Sequence, residues 1–369
     1  MKQVPIRRVG RVLNGGTPTP DDTYWGGDVP WATPADMSRV DGGRLGPTDR
    51  TLTVEGAAKG SSIAPSGSVL VSTRAPIGYT ALAMGPTAFN QGCKAIVPSG
   101  RLDSRFLQYV LIARKVELKA LGSGSTFLEL SSEGLASVGT PASEVDEQRR
   151  IADFLDDRVA RIDQIIAARR RQRDLLESQL LAQIRLGVAG VWDERRDAVS
   201  SPIPWLEKVS REARVAKLSR VLTMQRGVDL TADEQRPGDV PVITTAGVTG
   251  WHDVAIAAGP GVVIGRYGSV GSVHWVEEDY WPHNTTLYLR DAHGNSLRWA
   301  YYLLRSFPYA ALQARAAVPG VNRNDMAAED VPIIPRRLQA QAADVLDGHA
   351  MDASRAKATI AGSIELLTE

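Results

Sequence analysis

Much of what this sequence excludes follows from what it lacks. Its 369 residues hold a single cysteine, Cys93. An internal disulfide framework is therefore out of reach, and that usage suits a reducing cytoplasm, where we expect the chain to reside. No apolar run approaches the ~20 residues that cross a bilayer, and Met1-Lys2-Gln3-Val4-Pro5 leads into no signal-peptide core, so no membrane partner is expected. Excess charge of either sign is almost absent, with 43 Lys and Arg against 42 Asp and Glu and a formal net charge of +1. That balance argues neither for nor against nucleic acid, but any such binding must use local basic patches.

Reactive chemistry is missing as well. The five histidines have no zinc-ligand spacing and there is no cysteine pair, so no metal site is expected. There is no Gly-rich strand-to-helix phosphate loop, and no Asn-Pro-Pro-aromatic or Asp-Pro-Pro-Tyr tetrad for amino-methylation. Gly259-Pro260-Gly261 and Gly265 through Gly271 are glycine-rich, yet they alternate with β-branched residues and read as turns flanking a strand. His283 beside Asn284 could suggest acid-base work, but no nucleophile candidate lies near it. No catalytic residue and no cofactor are expected in this chain, which reads as a non-enzyme.

What the sequence does hold, it holds twice. Val69-Leu70-Val71-Ser72-Thr73-Arg74-Ala75-Pro76-Ile77-Gly78 returns as Val262-Val263-Ile264-Gly265-Arg266-Tyr267-Gly268-Ser269-Val270-Gly271. Val29 to Thr33 returns as Val240 to Thr244, and Arg105 to Leu111 as Arg298 to Leu304. The spacing of roughly two hundred residues is far beyond any solenoid period and fits two tandem domains of one fold. Such a chain presents two similar surfaces to a target of approximate two-fold symmetry.

Four blocks follow from composition. Residues 1–145 are rich in Gly, Pro, Ser and Thr with short β-branched runs, a mostly β domain with many turns, in which Asp103 to Lys119 has helical spacing. Residues 146–190 change character. From Glu147 to about Leu186 glycine and proline vanish, and Ile151, Leu155, Val159, Ile162, Ile166, Leu176, Leu180 and Ile184 mark a helical apolar stripe that Gly187 and Gly190 end. Residues 191–336, entered through a linker at Ser200 to Trp205, form the second mostly β domain. Residues 337–369 form a second, shorter helix whose Gln339 to Asp347 aligns without gaps on Gln148 to Asp156. The expected fold is α+β: two tandem mostly β domains joined by two long helices in an antiparallel coiled coil, pseudo two-fold symmetric.

In its order of motifs the chain resembles the specificity subunit of type I restriction-modification systems. The resemblance rests on Gly16-Thr17-Pro18, Tyr24 to Trp31, Val69 to Gly78, Asn90-Gln91-Gly92-Cys93-Lys94, Gly124 to Leu130 and Glu147 to Asp156. In the second half it rests on Gly265 to Gly271, His283-Asn284-Thr285-Thr286 and Gly320 to Asp325. It implies two target-recognition domains, each reading one half of a split double-stranded DNA sequence, with the helices as a ruler for the gap. It also implies assembly with two modification subunits, which carry S-adenosylmethionine and methylate adenine, and with restriction subunits that translocate and cut DNA. Lengthening the helix between Asp163 and Gln179 should then lengthen the unread gap and leave both half-sites unchanged. One departure stands out. The second helix carries Ala342, Ala343 and Ala356 where the first has Ile151, Ala152 and Ile165, so either the coil is asymmetric or the natural C-terminus extends further.

DNA reading needs donors and acceptors on loops over a rigid sheet, with Arg suited to guanine and Asn or Gln to adenine. Arg74 and Arg266 read as equivalent residues at strand ends, either groove or phosphate contacts or structural ion pairs. Asn90-Gln91 and Asn284-Thr285 read as matching places, either base contacts or caps of backbone turns. Ser125 and Thr126 in one half, and Asn322, Arg323 and Asn324 in the other, suit phosphate contacts. Thr17, Tyr24, Thr33 and Lys94 complete the first candidate set, and Arg226, Thr244, Thr245, Tyr267, Ser269 and His283 the second. Tyr24-Trp25 and Trp281 also suit core packing or loop anchoring. Arg169-Arg170-Arg171 is a solvated helix face or a contact to spacer phosphates. With so little net charge, DNA binding without the methyltransferase should be weak and steeply salt-dependent. Two rivals stay open: a coiled-coil interaction protein whose β domains bind protein or carbohydrate, and a hydrolase with an unrecognised site.

Overall fold

The computed structural model describes residues 2–74, 76–124, 128–193, 195–268, 270–315 and 320–368. Contacts divide the chain into two compact units, Met1–Asp163 and Gln164–Glu369.

In the first unit the strands run Gly10–Asn14, Cys93–Pro98, Val69–Ser72, Thr80–Leu82 and Gly43–Arg44 across a five-stranded sheet. Val69–Ser72 is buried at every position, as a β-branched run with both faces covered should be. A second, four-stranded sheet holds Trp25–Ala32 between Thr51–Leu52 and Thr87–Phe89, with Ile63–Ala64 outermost. The helix Ser104–Ala113 covers the first sheet. Asp103 caps it, accepting from the amides of Arg105 and Phe106 at 3.0 Å each, which satisfies two of its orphan donors. The single helix expected to Lys119 is in fact two, broken at Arg114 (φ −101°, ψ 18°), with Lys115–Ala120 redirected so that Leu118 is fully buried.

The second unit repeats this plan. Thr223–Arg226, Thr286–Asp291, Gly261–Gly265 and Val273–Val276 form a sheet in the same order as the first four strands of its counterpart. Val240–Thr244 pairs in parallel with Trp281–Pro282, as Trp25–Ala32 does with Thr87–Phe89. Ser296 caps the covering helix Leu297–Arg305 where Asp103 caps its equivalent. The segment expected as a linker, Ser200 to Trp205, is instead the turn of a hairpin between Ala198–Ser200 and Lys208–Ser210. Its Ile203 is 1% exposed, so it is packed rather than free.

The long helix runs Val145–Val188, 44 residues or about 66 Å at 1.5 Å per residue. Gly190, at φ 80°, ends it in the left-handed conformation that glycine adopts without cost. A second helix spans Arg336–Thr368. Within the second unit the two run antiparallel. Gly187 lies against the Leu346 side chain, Glu177 accepts from Lys357 Nζ at 2.8 Å, and Leu180, Ile184 and Val188 share a core with Leu338, Ala342 and Leu346. A Cβ on Gly187 would fall 2.7 Å from the Leu346 methyl carbon, so the glycine that looked like a helix terminator serves close helix approach.

Each long helix begins with the same wiring. Gln148 Oε1 accepts from Asp103 N at 2.9 Å while its amide nitrogen donates to Ser143 O; Gln339 does the same with Ser296 N at 2.7 Å and Ile334 O. About two turns further on, Asp156 takes Arg105 and the Tyr109 hydroxyl, and Asp347 takes Arg298 and the Tyr302 hydroxyl.

Cys93 is fully buried, and burial, with Asp36 adding to it, pushes its thiol up to about 12. As only the thiolate attacks, a maleimide at pH 7 to 8 should leave the native chain unlabelled and label it stoichiometrically once the first unit unfolds. Mass spectrometry along a urea series checks this; rapid labelling without denaturant would contradict the burial.

Candidate nucleic-acid interface

Backbone hydrogen bonds at the strand ends fix which residues of the two units correspond. Ser72 N donates to Tyr79 O at 2.8 Å and Gly265 N to Ser272 O at 2.9 Å. Thr73 N donates to Gly92 O at 2.8 Å and Arg266 N to Thr285 O at 2.9 Å. Asn90 N donates to Ala32 O and His283 N to Ile243 O, both at 2.9 Å. Arg266 therefore corresponds to Thr73, and Arg74 to Tyr267. Asn90-Gln91 corresponds to His283-Asn284. The expected equivalences were each out of step by one residue, because they matched residue types rather than backbone positions.

In the first unit, Arg74 donates Nε to Glu129 Oε2 at 3.0 Å, so the ion-pair reading holds for it. Lys94 lies 3.9 Å from the same carboxylate and donates to Asn14 Oδ1 at 3.1 Å. It is 7% exposed, and burial pulls its ammonium pKa down, with Glu129 opposing. Lys94 supports the interface from beneath rather than reaching out of it. Asn90 Oδ1 accepts from Gly92 N at 3.0 Å, the turn-capping reading. Thr33 caps the helix Pro34–Ser38 in a reciprocal box with Asp36, which occupies its hydroxyl. Thr17 donates to the Gln91 side-chain oxygen, and both are exposed. Tyr24 receives Lys59 Nζ on its hydroxyl at 3.2 Å. Ser125 and Thr126 lie outside the described residues.

In the second unit the candidates converge more tightly. Among the described residues Arg266 bonds no carboxylate; it reaches Val321 O and Asn284 O, each at 3.4 Å, and Tyr267 Oη at 3.2 Å. It thereby ties the Asn284 loop to the loop carrying Asn322. Thr245 donates to Thr285 O at 3.1 Å, and Thr244 spans its own turn to Gly247 O at 3.3 Å. His283 Nδ1 pairs with the Thr285 hydroxyl at 3.1 Å, and its Nε2 lies 3.5 Å from Asp229. Asn322 caps the helix Arg323–Ala327 through Asn324 N at 2.9 Å. Arg226 and Arg323 are exposed and have no partner among the described residues. Ser269 lies outside them.

The loop Gly16–Thr19 has an anchor that sequence reasoning missed in detail. Trp31 Nε1 donates to Gly16 O at 3.1 Å, and Trp25 Nε1 to Thr19 O at 3.2 Å. The counterpart of Gly16 is Val228, since Gly16 N bonds Phe89 O and Val228 N bonds Pro282 O. Val228 O is held by Trp281 Nε1, also at 3.1 Å. Trp281 sits on the strand that pairs with Val242, the counterpart of Trp31. The two units thus hold the same carbonyl with an indole drawn from opposite members of the strand pair, which makes loop anchoring the role of both. Arg50, absent from the expected set, lies with its guanidinium carbon 3.5 Å above the Trp25 ring. On the long helix, Arg170 and Arg171 are exposed, as a solvated face would be.

Among the described residues no group of three or more His, Cys, Asp or Glu side chains could hold a metal ion. What the two clusters offer is hydrogen bonding: exposed donors and acceptors on short loops, held by a sheet edge and by helix caps, suited to reading edges of bases and phosphates.

Comparison with known proteins finds type I restriction specificity subunits among those similar to this chain. Residues 1–172 match the family model described as type I restriction modification DNA specificity domain. That match takes in a little under half of the chain's 369 residues. The chain is 37% identical over 177 residues to the type I restriction enzyme MjaIX specificity subunit of Methanocaldococcus jannaschii, covering 47% of this chain and 40% of that one. It spans 39% of the EcoR124I/EcoR124II specificity subunit of Escherichia coli, at 26% identity over 160 residues. Against the E. coli EcoprrI specificity subunit the identity is 23% over 390 residues, across 97% of this chain and 91% of the other. The chain therefore spans about two fifths of the first two relatives and most of the third. In fold, all of this chain is similar to 94% of a chain from a structure on complex assembly and conformational transition of the type I R-M system, with a TM-score of 0.72 at 15% identity. The HsdS subunit from Thermoanaerobacter tengcongensis matches over 99% of this chain and 94% of its own, with a TM-score of 0.53 at 16% identity.

Proposed function

We propose that this chain is the DNA-sequence specificity subunit of a type I restriction-modification complex, reading a bipartite target with one half-site per unit. One observation carries the reading. The two units repeat the same backbone hydrogen bonds at their strand ends, yet place different side chains there: Arg74 against Tyr267, Asn90-Gln91 against His283-Asn284, Asn14 against Arg226. A constant scaffold with exchanged tips suits two readers of different sequences. Phosphate contacts from Arg226 and Arg323 would set position, and base contacts from Gln91, Asn284 and Tyr267 would specify.

The chain itself performs no bond chemistry in this reading. It positions partner subunits: two methyltransferases, which bring S-adenosylmethionine and turn an adenine out of each half-site, and restriction subunits, all in the cytoplasm. The specificity domain in the first unit favours this over an interaction protein binding protein or carbohydrate.

Co-expression with an adenine methyltransferase of the same system in a methylation-free host, followed by sequencing of modified bases, tests it. A split motif with an unspecified spacer, modified on both strands, is the expected result. A stable complex that writes no motif would count against the reading, and no complex at all would restore the interaction-protein alternative.

A further inference from the structure

Arg50 belongs to none of the motifs that mark the interface, yet its setting is that of a pre-aimed donor. Its guanidinium carbon lies 3.5 Å from the centre of the Trp25 ring and 5.5 Å from that of Trp31, and the two indoles meet edge to face at 5.0 Å. Its main-chain carbonyl is fixed by Trp31 N and the Thr48 hydroxyl, so the side chain leaves the backbone from a defined point. The side chain is exposed, and none of its five N–H groups has a partner among the described residues.

The neighbouring arginines differ. Arg39 spends its donors on Asp36 and Asp49, Arg74 on Glu129, and Arg105 on Asp153 and Asp156. Among the described residues, Arg7, Arg8, Arg11, Arg44 and Arg101 have neither a side-chain partner nor a ring beneath them. Arg158 does lie over a ring, Phe154, but on the long helix. Among the described residues of the first unit, only Arg50 combines an ordering surface with free donors beside the candidate interface. The link is direct: the Trp25 and Trp31 indoles hold Thr19 O and Gly16 O, and Thr17 between them bonds Gln91.

Stacking on a ring orders a guanidinium without neutralising it, whereas a carboxylate does both. An ordered, charged fork with its donors free matches the O6 and N7 acceptors that only guanine presents in the major groove. In the second unit the corresponding indole, Trp281, has the His252 ring edge-on at 5.0 Å, and no arginine among the described residues lies over it.

We propose that Arg50, aimed by Trp25, is a specificity-determining residue that reads a guanine in the half-site of the first unit, with no counterpart in the second. This rests on the function proposed above and names one reader within it.

The test is the same methylation experiment with Arg50→Lys and Arg50→Ala beside the unaltered chain. Both substitutions are at an exposed side chain, and protection of Cys93 from maleimide confirms that the first unit stays folded. Arg50→Lys keeps the charge and loses the fork, so discrimination at one position of one half-site should fall roughly tenfold to a hundredfold, with the other half-site unchanged. Arg50→Ala should relax the same position. An unaltered motif and rate in both variants would overturn the proposal. So would a uniform loss across all sites in Arg50→Ala that Arg50→Lys restores, the behaviour of a phosphate contact. If the unaltered chain writes no motif, the functional reading itself fails; if it writes one that Arg50 does not affect, only this inference does.

Discussion

Trp299→Ala is expected to lower the stability of the Gln164–Glu369 unit by about 3–5 kcal/mol, the range for emptying a fully buried aromatic site. Trp299 is 0% exposed and sits in the core that joins the covering helix, the sheet and both long helices. Its Nε1 donates to Val188 O at 3.2 Å, at the last turn of the long helix, so the substitution also orphans a buried carbonyl. Phe106 occupies the same place in the first unit, 4% exposed and with no N–H to give. Trp299→Phe should therefore retain most of the stability, losing roughly 1 kcal/mol for the hydrogen bond with a smaller cavity term. For a unit of this size the alanine variant should unfold about 10 °C earlier. Calorimetry reads the shift, while Cys93 labelling follows the first unit separately. A shift of only a degree or two would mean that this helix packs less tightly than its burial shows.

The second large effect lies at the paired carboxylates. Asp347→Ala removes both contacts of Arg298, at 2.6 and 3.0 Å, and the acceptor of the Tyr302 hydroxyl at 2.5 Å. Tyr302 is 1% exposed, so its hydroxyl would be left dry and unpaired. Asp347 and Arg298 keep 31% and 37% side-chain exposure, so solvent screens the ionic part and the stranded hydroxyl dominates. The expected cost is about 2–3 kcal/mol. At Asp156→Ala the cost should be near 1 kcal/mol, because Arg105 retains Asp153 at 2.7 Å and Tyr109 is only partly buried. Denaturant midpoints for both variants check the ratio. Equal losses would show that the two helix starts are energetically alike despite their different burial.

The large features of this fold were legible because they rest on short-range patterns. A stripe from Ile151 to Ile184 specifies a helix whatever surrounds it, and it runs Val145–Val188. Val69 to Ser72 and Val262 to Gly265 became central strands, as continuous β-branched runs should. Legibility ended where a residue's fate depends on a distant partner. Arg114 is a good helix former, and nothing local foretells the break there; it follows from Leu118 turning inward and Lys115 bonding Asp41 at 2.6 Å. Lys94 looked like a free cation until the fold placed Asn14 and Glu129 around it. Arg74 and Arg266 looked equivalent because both are arginine at a strand end. Yet the aligned segments already set Thr73, not Arg74, opposite Arg266, and the backbone bonds follow the alignment. Arg50 had no signal at all: the ring that orders it stands on a strand 25 residues away in sequence.

The exchanged tryptophans carry a consequence for how this scaffold can change. Trp31 with Ala88, and Val242 with Trp281, fill the same pair of strand positions with one large and one small residue in opposite order. Passing from one arrangement to the other takes two substitutions, and neither order is smooth. Two indoles would overfill the site, and none would leave a void and a dangling carbonyl. The arrangements are separated by a barrier in sequence space although they are interchangeable in space. A position-by-position tally would count two lost tryptophans where the molecule has kept one.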